Sequence, residues 1–174
     1  NDLRRQNGDK ILSLAKSSSA QTLWKGPFLP LGSAKVEARF ADHRTYFYRG
    51  QEVDRQIHLG FDLAVTKQVP VQAGNDGTVV FADYLGIYGN CVVIDHGMGL
   101  QSLYGHLSSI EVKVGDAVKR DQQVARSGMT GLAGGDHLHF SIQLQGRPVN
   151  PVEWWDRQWS EDRITRKLRD AGAK

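Results

Sequence analysis

The sequence predicts a mainly β protein with an antiparallel β-sandwich or open barrel-like core and a short helix at each end. Three observations lead to this fold class. Between residues 34 and 145, short runs alternate apolar and polar side chains. Clusters of Gly, Asn and Asp separate these runs, and 19 glycines in 174 residues suit many tight turns. No stretch in this interval has the length and period of an ordinary helix, which argues against alternating strand and helix units.

The alternation predicts individual strands in this central region. Strands are expected at residues 35–40, 45–48, 57–65, 78–82 and 91–95. Turns are expected at residues 74–77, 86–90 and 96–99. The shortness of the strands and the frequency of the turns favour a sheet that folds back on itself rather than a layered parallel sheet.

The N-terminal end has a different pattern. Residues 1–16 carry an imperfect helical stripe of apolar side chains among charges, and the serines at 17–19 predict a linker after that helix. Pro27 and Pro30 interrupt residues 21–32, which are therefore predicted to form a loop and an edge strand.

The C-terminal end is predicted to be helical. Asn150 is suited to cap a helix, Pro151 to occupy its first turn and Glu153 to reach back to the cap. A polar helix is expected over residues 160–171. Tryptophans can bind sugars, but three of them around one terminal helix favour packing on the sheet: Trp154, Trp155 and Trp159.

Composition narrows the classes of partner. The chain has 22 basic and 19 acidic residues, a net charge of +3, and no basic stripe interleaved with aromatic residues, so nucleic acid is not an expected partner. The single cysteine, Cys91, lies in an apolar run and predicts a small buried side chain, with no intrachain disulfide. No run is long enough to span a membrane, and we expect an upstream membrane anchor or domain to precede Asn1.

Four of the six histidines lie in three short motifs, and these motifs carry the candidate chemistry. They are His58-Leu59-Gly60-Phe61-Asp62, Leu103-Tyr104-Gly105-His106-Leu107 and Gly135-Asp136-His137-Leu138-His139-Phe140. A His-x-x-x-Asp pair is expected about 0.5 times by chance in such a chain, so no single motif is decisive. Each motif lies in or beside a strand-like apolar run, and this common setting favours a shared site.

Strand geometry predicts which of these side chains share a face. His137 and His139 are two residues apart and point to the same face, with Leu138 on the opposite one. His58 and Asp62 share a face if their segment stays extended. Two imidazoles and one carboxylate form a common zinc set that leaves a fourth position for water, and the remaining histidines then suit proton transfer. For His43 and His96, a purely structural role is favoured.

Taken together, the motifs resemble those of the lysostaphin-like (LytM-type) zinc endopeptidases, which cut peptidoglycan cross-links. The resemblance covers about residues 55–152 and includes three turns typical of the family, at residues 86–90, 114–118 and 130–131. It implies one Zn²⁺ per chain and a β fold related to that of glucose-permease-type domains. It also implies roles for five residues, with zinc held by His58, Asp62 and His139 and catalysis by His106 and His137.

This resemblance suggests three divisions of the chain. Residues 1–33 form an N-terminal helix and linker, residues 34–152 a zinc endopeptidase domain, and residues 153–174 a C-terminal helical tail. Peptide cross-links of peptidoglycan are the implied substrate. The implied location is the periplasm, the cell envelope or the extracellular space, with anchoring through an upstream segment.

The sequence departs from the family pattern in places. Ser141 stands where many relatives carry Glu, and Arg120-Asp121-Gln122 replaces the usual Lys-x-Gly-Gln turn. The family's transition-state tyrosine does not map by spacing. Tyr46 and Tyr48 are candidates for it, and together with Asn90 they are predicted to contact substrate.

Two other classes of function compete with the enzyme. A phosphocarrier-type β domain would use a histidine pair without the carboxylate, so Asp62 argues against it. A catalytically inactive wall-binding or activator module would have lost metal ligands, whereas all five family positions are intact here. The bond cut is either a glycine bridge or a cross-link between D-alanine and a diamino acid, and we favour the second.

Overall fold

The computed structural model describes residues 2–30, 32, 34–64 and 66–172. Helix α1 spans Asp2–Ala15. Thirteen strands follow: β1 (Lys35–Ala38), β2 (His43–Tyr48), β3 (Gln51–Ile57), β4 (Phe61–Ala64), β5 (Pro70–Gln72), β6 (Gly77–Tyr84), β7 (Asn90–Gly97), β8 (Leu100–Leu107), β9 (Ser109–Ile110), β10 (Ala117–Val118), β11 (Gln123–Arg126), β12 (His137–Leu144) and β13 (Arg147–Val149). Helix α2 (Pro151–Trp155) leads to α3 (Arg157–Ser160), which continues through a π-helical stretch (Glu161–Thr165) into α4 (Arg166–Asp170).

The strands form three antiparallel sheets. The largest has eight strands in the order β1-β4-β12-β8-β7-β6-β10, with β13 beside β12. A three-stranded sheet has the order β5-β11-β9, and β2 pairs with β3 as a separate hairpin. The mainly β, antiparallel fold class with a helix at each end is therefore confirmed.

The main hydrophobic core lies on one face of the eight-stranded sheet. Leu138, Phe140 and Ile142 of β12 point into it, together with Tyr104 of β8. Residues of the three-stranded sheet, such as Val71 and Val124, close this core from the other side. The period of two along β12 thus places alternate residues in the core and leaves the residues between them for the opposite face.

Helix α1 covers part of that opposite face. Ile11 is buried against Leu85, Cys91, Val93 and Leu103 in a second apolar cluster. The helix is held to the sheet by polar contacts as well. Asn7 accepts a hydrogen bond of 2.9 Å from the main-chain nitrogen of Ile87, and Gln101 donates one of 3.2 Å to the carbonyl oxygen of Leu14. The burial predicted for Cys91 is confirmed.

The C-terminal segment packs as the sequence predicts. Asn150 accepts a hydrogen bond from the main-chain nitrogen of Val152, so Asn150 caps α2. Trp154 is 5% exposed and contacts Phe28 edge-on, with the ring centroids 6.0 Å apart. Trp155 stacks on Phe140 at 5.7 Å. The tryptophans therefore pack in and around the core, as predicted.

Three details of the predicted elements were wrong. The strand expected over residues 57–65 is broken, because residues 58–60 separate β3 from β4, and Val65 lies outside the described residues. The strand expected over residues 35–40 ends at Ala38. Residues 21–30 form no strand and follow the surface as a loop, because the prolines limit ladder hydrogen bonding.

Within the described residues, no helix combines the length and the apolar character needed to cross a membrane. The proposed division of the chain at residues 33/34 and 152/153 stays a prediction.

Candidate metal centre

Asp62 and His139 face each other on neighbouring strands. β4 and β12 run antiparallel, and these two residues are directly opposed in that register. Opposed residues point to the same face of a sheet, so the carboxylate and the imidazole meet on the face away from the main core. Both side chains are buried, which limits the access of bulk water to them.

His58 reaches the same place from a loop. The chain is not extended between His58 and Asp62, since residues 58–60 leave the strand geometry. A Cβ at Gly60 would lie 2.7 Å from the imidazole of His139, so only glycine lets the loop pass this close. The shared face predicted for His58 and Asp62 is present, but a close turn rather than an extended segment produces it.

Three potential ligand atoms converge at this point. Nε2 of His58 and Nδ1 of His139 each lie 3.0 Å from Oδ1 of Asp62 and 3.2 Å from each other. Zinc bonds of about 2.0–2.1 Å in a tetrahedron separate neighbouring ligands by about 3.3 Å. Two imidazole nitrogens and one carboxylate oxygen are also a donor set that suits zinc. The residues therefore fit a zinc ion, with one position left for another ligand.

The charges of this cluster are strongly coupled. Burial by itself would raise the pKa of Asp62, but the hydrogen bonds and charges of His139 and His58 outweigh it and hold that pKa far below its usual value. Burial lowers the pKa of His139, with Asp62 opposing the change. The carboxylate is thus ionised and the His139 imidazole is neutral at pH 7, which are the forms that bind a metal.

His106 joins the site through an irregularity in β8. Tyr104 points into the main core, and strict alternation would send His106 to the same face. The pairing of β7 with β8 shifts register here, and His106 adopts a left-handed φ of 61°. This bulge turns the side chain to the metal face, where its ring lies 4.7 Å from that of His137.

Main-chain carbonyl groups fix the tautomers of three histidines. Nδ1 lies within 2.8–2.9 Å of a carbonyl oxygen in each case, that of Arg39 for His58, Thr130 for His106 and Gly135 for His137. A carbonyl oxygen only accepts hydrogen bonds, so Nδ1 carries the proton and Nε2 keeps its lone pair. A hydrogen bond from one ring nitrogen to a carbonyl oxygen orients an imidazole whose other nitrogen binds a metal or transfers a proton.

His106 and His137 lie beside the three ligand atoms without completing their triangle. Nε2 of His137 is 3.6 Å from Oδ1 of Asp62. Burial, together with the neighbouring His139 and His137, lowers the pKa of His106 to about 4, so the His106 ring is neutral at pH 7. The structure therefore brings together all five histidine and aspartate residues that the motifs indicated. Three of them can bind one metal ion, and His106 and His137 lie next to these three.

Arg44 is a residue of this site that the sequence analysis missed. Its Nη2 donates a hydrogen bond of 2.5 Å to Oδ2 of Asp62, the oxygen turned away from the imidazoles. Partial burial would lower the pKa of Arg44, but the contact with Asp62 outweighs burial and raises it. The one available signal was the spacing on β2, where Arg44 and Tyr46 are two residues apart and share a face.

The residues predicted to contact substrate are placed differently from one another. Tyr46 lines the cavity beside the metal site, whereas Tyr48 is 62% exposed near the end of the hairpin and does not line it. The side chain of Asn90 donates to the carbonyl oxygen of Leu107 and ties the end of β7 to β8. Contacts of Tyr46, Tyr48 and Asn90 with substrate stay predictions.

Tyr88 is a second residue that the sequence analysis passed over. Its ring centroid lies 5.3 Å from that of His139, and it lines the same cavity. Burial raises its pKa to about 12, so the hydroxyl keeps its proton at pH 7. The sequence had marked residues 86–90 only as a turn, because turn composition does not show which side chain faces inward.

The remaining two histidines lie outside the site, as predicted. His96 is fully buried, with Nδ1 donating to the carbonyl oxygen of Asp76 at 2.6 Å and Nε2 lying 2.7 Å from the hydroxyl of Ser102. His43 is exposed at the start of β2. The hydrogen bonds of His96 give it a structural role, and His43 lies away from the candidate ligands.

Comparison with known proteins identifies the family. Residues 56–151, more than half of the chain, match the description "Peptidase family M23". The chain belongs to peptidase family M23. This assignment confirms the resemblance to lysostaphin-like peptidases inferred from the motifs. The matched segment of the M23 domain contains His58, Asp62, His106, His137 and His139, but it excludes α1 and Arg44.

Two curated relatives illustrate the range of the M23 domain. The chain is 43% identical over 96 residues to peptidoglycan DD-endopeptidase ShyA of Vibrio cholerae, covering 55% of this chain and 22% of the relative. It is 41% identical over 109 residues to murein hydrolase activator EnvC of Escherichia coli, covering 62% of this chain and 26% of the relative. The chain thus spans about a quarter of the length of these relatives.

Solved structures share the fold. A zinc-containing peptidase from Vibrio cholerae aligns with a TM-score of 0.63 and 31% identity, over 74% of this chain and 40% of that one. The catalytic domain of lysostaphin from Staphylococcus simulans aligns with a TM-score of 0.61 and 27% identity, over 80% of this chain and 98% of that one. The M23 domain described here therefore has the lysostaphin-like fold.

Proposed function

We propose that this chain is a zinc metalloendopeptidase that hydrolyses peptide cross-links of bacterial peptidoglycan. One observation carries the proposal. Three ligand atoms form a triangle of zinc-like dimensions, and two further imidazoles stand beside it with their Nε2 lone pairs uncommitted to the main chain. A purely structural metal site has closed coordination and no need of such neighbours.

His58, Asp62 and His139 would hold the metal. Zinc bound there would act as a Lewis acid on the scissile carbonyl group and lower the pKa of a water molecule to about 7. Asp62 supplies the one negative charge of the ligand set, so the site keeps a net positive charge that favours a developing oxyanion. Arg44 holds the second carboxylate oxygen and orients the first.

His106 and His137 would move the protons. Each has Nδ1–H tied to a carbonyl oxygen and therefore presents a basic Nε2. Since His106 is neutral at pH 7, it can take a proton from the attacking water and pass it to the leaving amine. His137, adjacent to it, is placed to share this proton or, once protonated, to donate a hydrogen bond to the oxyanion.

The substrate class rests on the relatives. ShyA is named as a peptidoglycan DD-endopeptidase, and its similarity supports a cross-link between D-alanine and a diamino acid over a glycine bridge. Because peptidoglycan lies in the cell envelope, we propose that the protein acts in the periplasm or elsewhere in the envelope. An upstream anchor or domain is proposed with it.

EnvC suggests a second candidate function, activation of other wall hydrolases by a module that does not cleave peptides itself. The complete ligand set favours the enzyme. A module of this second kind has no requirement for two imidazoles and an aspartate within 3.2 Å of one another.

The test combines metal content with product analysis. The purified protein should contain about one zinc per chain and should cleave muropeptides, with mass spectrometry locating the new termini at D-alanine–diamino acid bonds. Muropeptides with glycine bridges serve as the comparison substrate, and His43→Ala, which changes an exposed histidine outside the site, serves as the matched control. A folded, metal-free protein that cleaves neither substrate would support the activator instead.

A further inference from the structure

The cavity beside the metal site extends well beyond the residues that would bind zinc. It has a volume of about 210 Å³ and continues from His58, His106 and His139 along β12 to Gln143 and the β12–β13 turn. The hairpin of β2 and β3 forms one wall, with Tyr46, and α1 forms another. Helix α1 lies outside the segment that matches peptidase family M23, so this wall is additional to the part shared with the family.

Arg4 brings a positive charge to the cavity from α1. Among the described residues, the guanidinium group contacts the ring of Tyr46, 5.4 Å from its centroid, and no carboxylate forms an ion pair with it. The other arginine of the cavity, Arg44, is already paired with Asp62. Arg4 thus has its hydrogen-bond donors available for an anion, and a guanidinium group matches the geometry of a carboxylate.

Gln143 provides a second, independent indication of a ligand. It lines the floor of the cavity and is 1% exposed. Its Nε2 donates to the hydroxyl of Ser141, whereas its Oε1 has no hydrogen-bond partner among the described residues. A buried acceptor without a partner is costly, and a peptide N–H lying along the cavity would satisfy it.

Gly8 has no side chain to occupy the cavity beside α1. It lines the cavity in the middle of α1, where glycine destabilises a helix relative to alanine. A Cβ at this position would meet nothing within 4 Å, so packing against the sheet does not require glycine here. The missing side chain leaves room between α1 and the floor of the cavity.

We propose that α1 and β12 form a substrate subsite that binds a carboxylate-bearing peptide segment, with Arg4 pairing with the carboxylate and Gln143 Oε1 accepting a peptide N–H. The inference rests on the proposed peptidase function and names the substrate group that this site selects. A cross-link to a diamino dicarboxylic acid carries such a carboxylate on the carbon of its leaving amine. A glycine bridge has none beside the scissile bond, so the subsite discriminates between the two chemistries.

Two synthetic peptides test the proposal. Both contain a D-alanine–diamino acid amide bond, one with a free carboxylate beside the leaving amine and the other with that carboxylate amidated. Cleavage by the zinc-loaded protein gives KM and kcat, and calorimetry gives the affinity of each peptide independently of cleavage. The variants are Gly8→Leu, which extends a side chain into the cavity, and Arg4→Gln, which removes the charge. Gln6→Leu is the matched control, because it adds the same side chain at an exposed position of α1 that does not line the cavity.

The Gly8 and Arg4 variants are expected to affect the two peptides differently. Gly8→Leu should raise KM for both peptides about 10-fold with zinc content and kcat retained, and it should remain folded because leucine favours a helix over glycine. Arg4→Gln should raise KM about 10-fold for the carboxylate peptide and leave the amidated peptide unchanged, the effect expected for loss of one charge-assisted hydrogen bond. Binding constants should follow KM.

Other outcomes overturn one proposal or the other. If Gly8→Leu behaves like Gln6→Leu, or if Arg4→Gln affects both peptides equally, the subsite is wrong even though the protein remains a peptidase. If the zinc-loaded protein cleaves neither peptide but binds the carboxylate form in the manner described, the peptidase function is wrong and the subsite stands.

Discussion

Arg44 and Asp62 form an ion pair in which the two carboxylate oxygens have different partners. Nη2 of Arg44 lies 2.5 Å from Oδ2, while Oδ1 faces His58 and His139 at 3.0 Å. The arginine therefore holds the carboxylate in an orientation that presents a single oxygen to a metal. Arg44 lies on β2, outside the segment that matches the family, so a residue beyond the shared domain contributes to its central site.

Replacing Arg44 tests this orientation. Arg44→Met should weaken zinc binding about 10-fold, the scale of effect seen when a hydrogen-bond partner of a metal ligand is lost. Arg44→Lys, which keeps the charge and one donor, should weaken zinc binding less. Competition with a chelator measures both affinities. If Arg44→Met binds zinc more tightly than the natural protein, repulsion between the guanidinium group and the metal is the larger effect and the orienting role is wrong.

Removal of the carboxylate should abolish metal binding. Asp62→Ala takes away the only negative ligand and leaves two imidazoles, and zinc with fewer ligands and no anionic one binds far more weakly. Metal analysis after purification should find little zinc in this variant, and cleavage should be lost with it. Asp83→Ala, an exposed aspartate on β6, is the control and should retain both. Full zinc occupancy in Asp62→Ala would remove Asp62 from the ligand set.

Metal binding and catalysis should separate at the histidines. His106→Ala and His137→Ala remove groups beside the ligand triangle, so both variants should keep about one zinc per chain and cleave about 10²- to 10⁴-fold more slowly. His139→Ala should lose the metal itself. Zinc content and turnover must be measured on the same preparations. If His106→Ala lost zinc while His139→Ala kept it, His106 would be the metal ligand and the roles assigned to these two residues would be wrong.

His96 should make the stability of the protein depend on pH. Burial lowers its pKa to about 4, whereas an unfolded histidine titrates near about 6.5. The unfolded chain therefore binds a proton that the folded protein lacks between these two values. The contribution of His96 is fully present above pH 6.5, and about 3 kcal/mol of it is lost as the pH falls to 4.

Urea unfolding of the metal-free protein at pH 7 and pH 4.5 measures this loss. His96→Gln has no titrating ring and should lose less stability over this interval than the natural protein. His43→Gln, at an exposed position, should behave like the natural protein. An identical decrease in His96→Gln and the natural protein would show that other groups, His106 among them, cause the whole pH dependence.

Local sequence pattern determined much of the fold and the site. Alternation with a period of two is a property of the extended chain itself, so it placed His137 and His139 on one face of β12 and Leu138 on the other. Asn150 and Pro151 marked the start of α2 because capping depends on adjacent residues only. The turn composition likewise marked the breaks on both sides of β6 and β7, and the motifs identified the family.

Alternation with a period of two gives the wrong face where the backbone is irregular. Alternation would place His106 in the core with Tyr104, and only the bulge between β7 and β8 turns it to the metal face. A bulge depends on how two distant strands pair, which short-range patterns do not encode. His58 is a similar case, since its approach to Asp62 depends on the space that Gly60 leaves beside His139.

Contacts between distant segments were decided by the tertiary structure alone. The sequence by itself indicated several of the strands, the terminal helices, the family and the five histidine and aspartate residues of the candidate site. Only packing brought Arg44 to Asp62, and only packing laid α1 beside the cavity, with Arg4 and Gly8 lining it. The physical reason is that α1 takes this position when Ile11 and its neighbours are buried against the sheet. Apolar burial is non-directional, so no local spacing in the sequence specifies which surface a helix will cover.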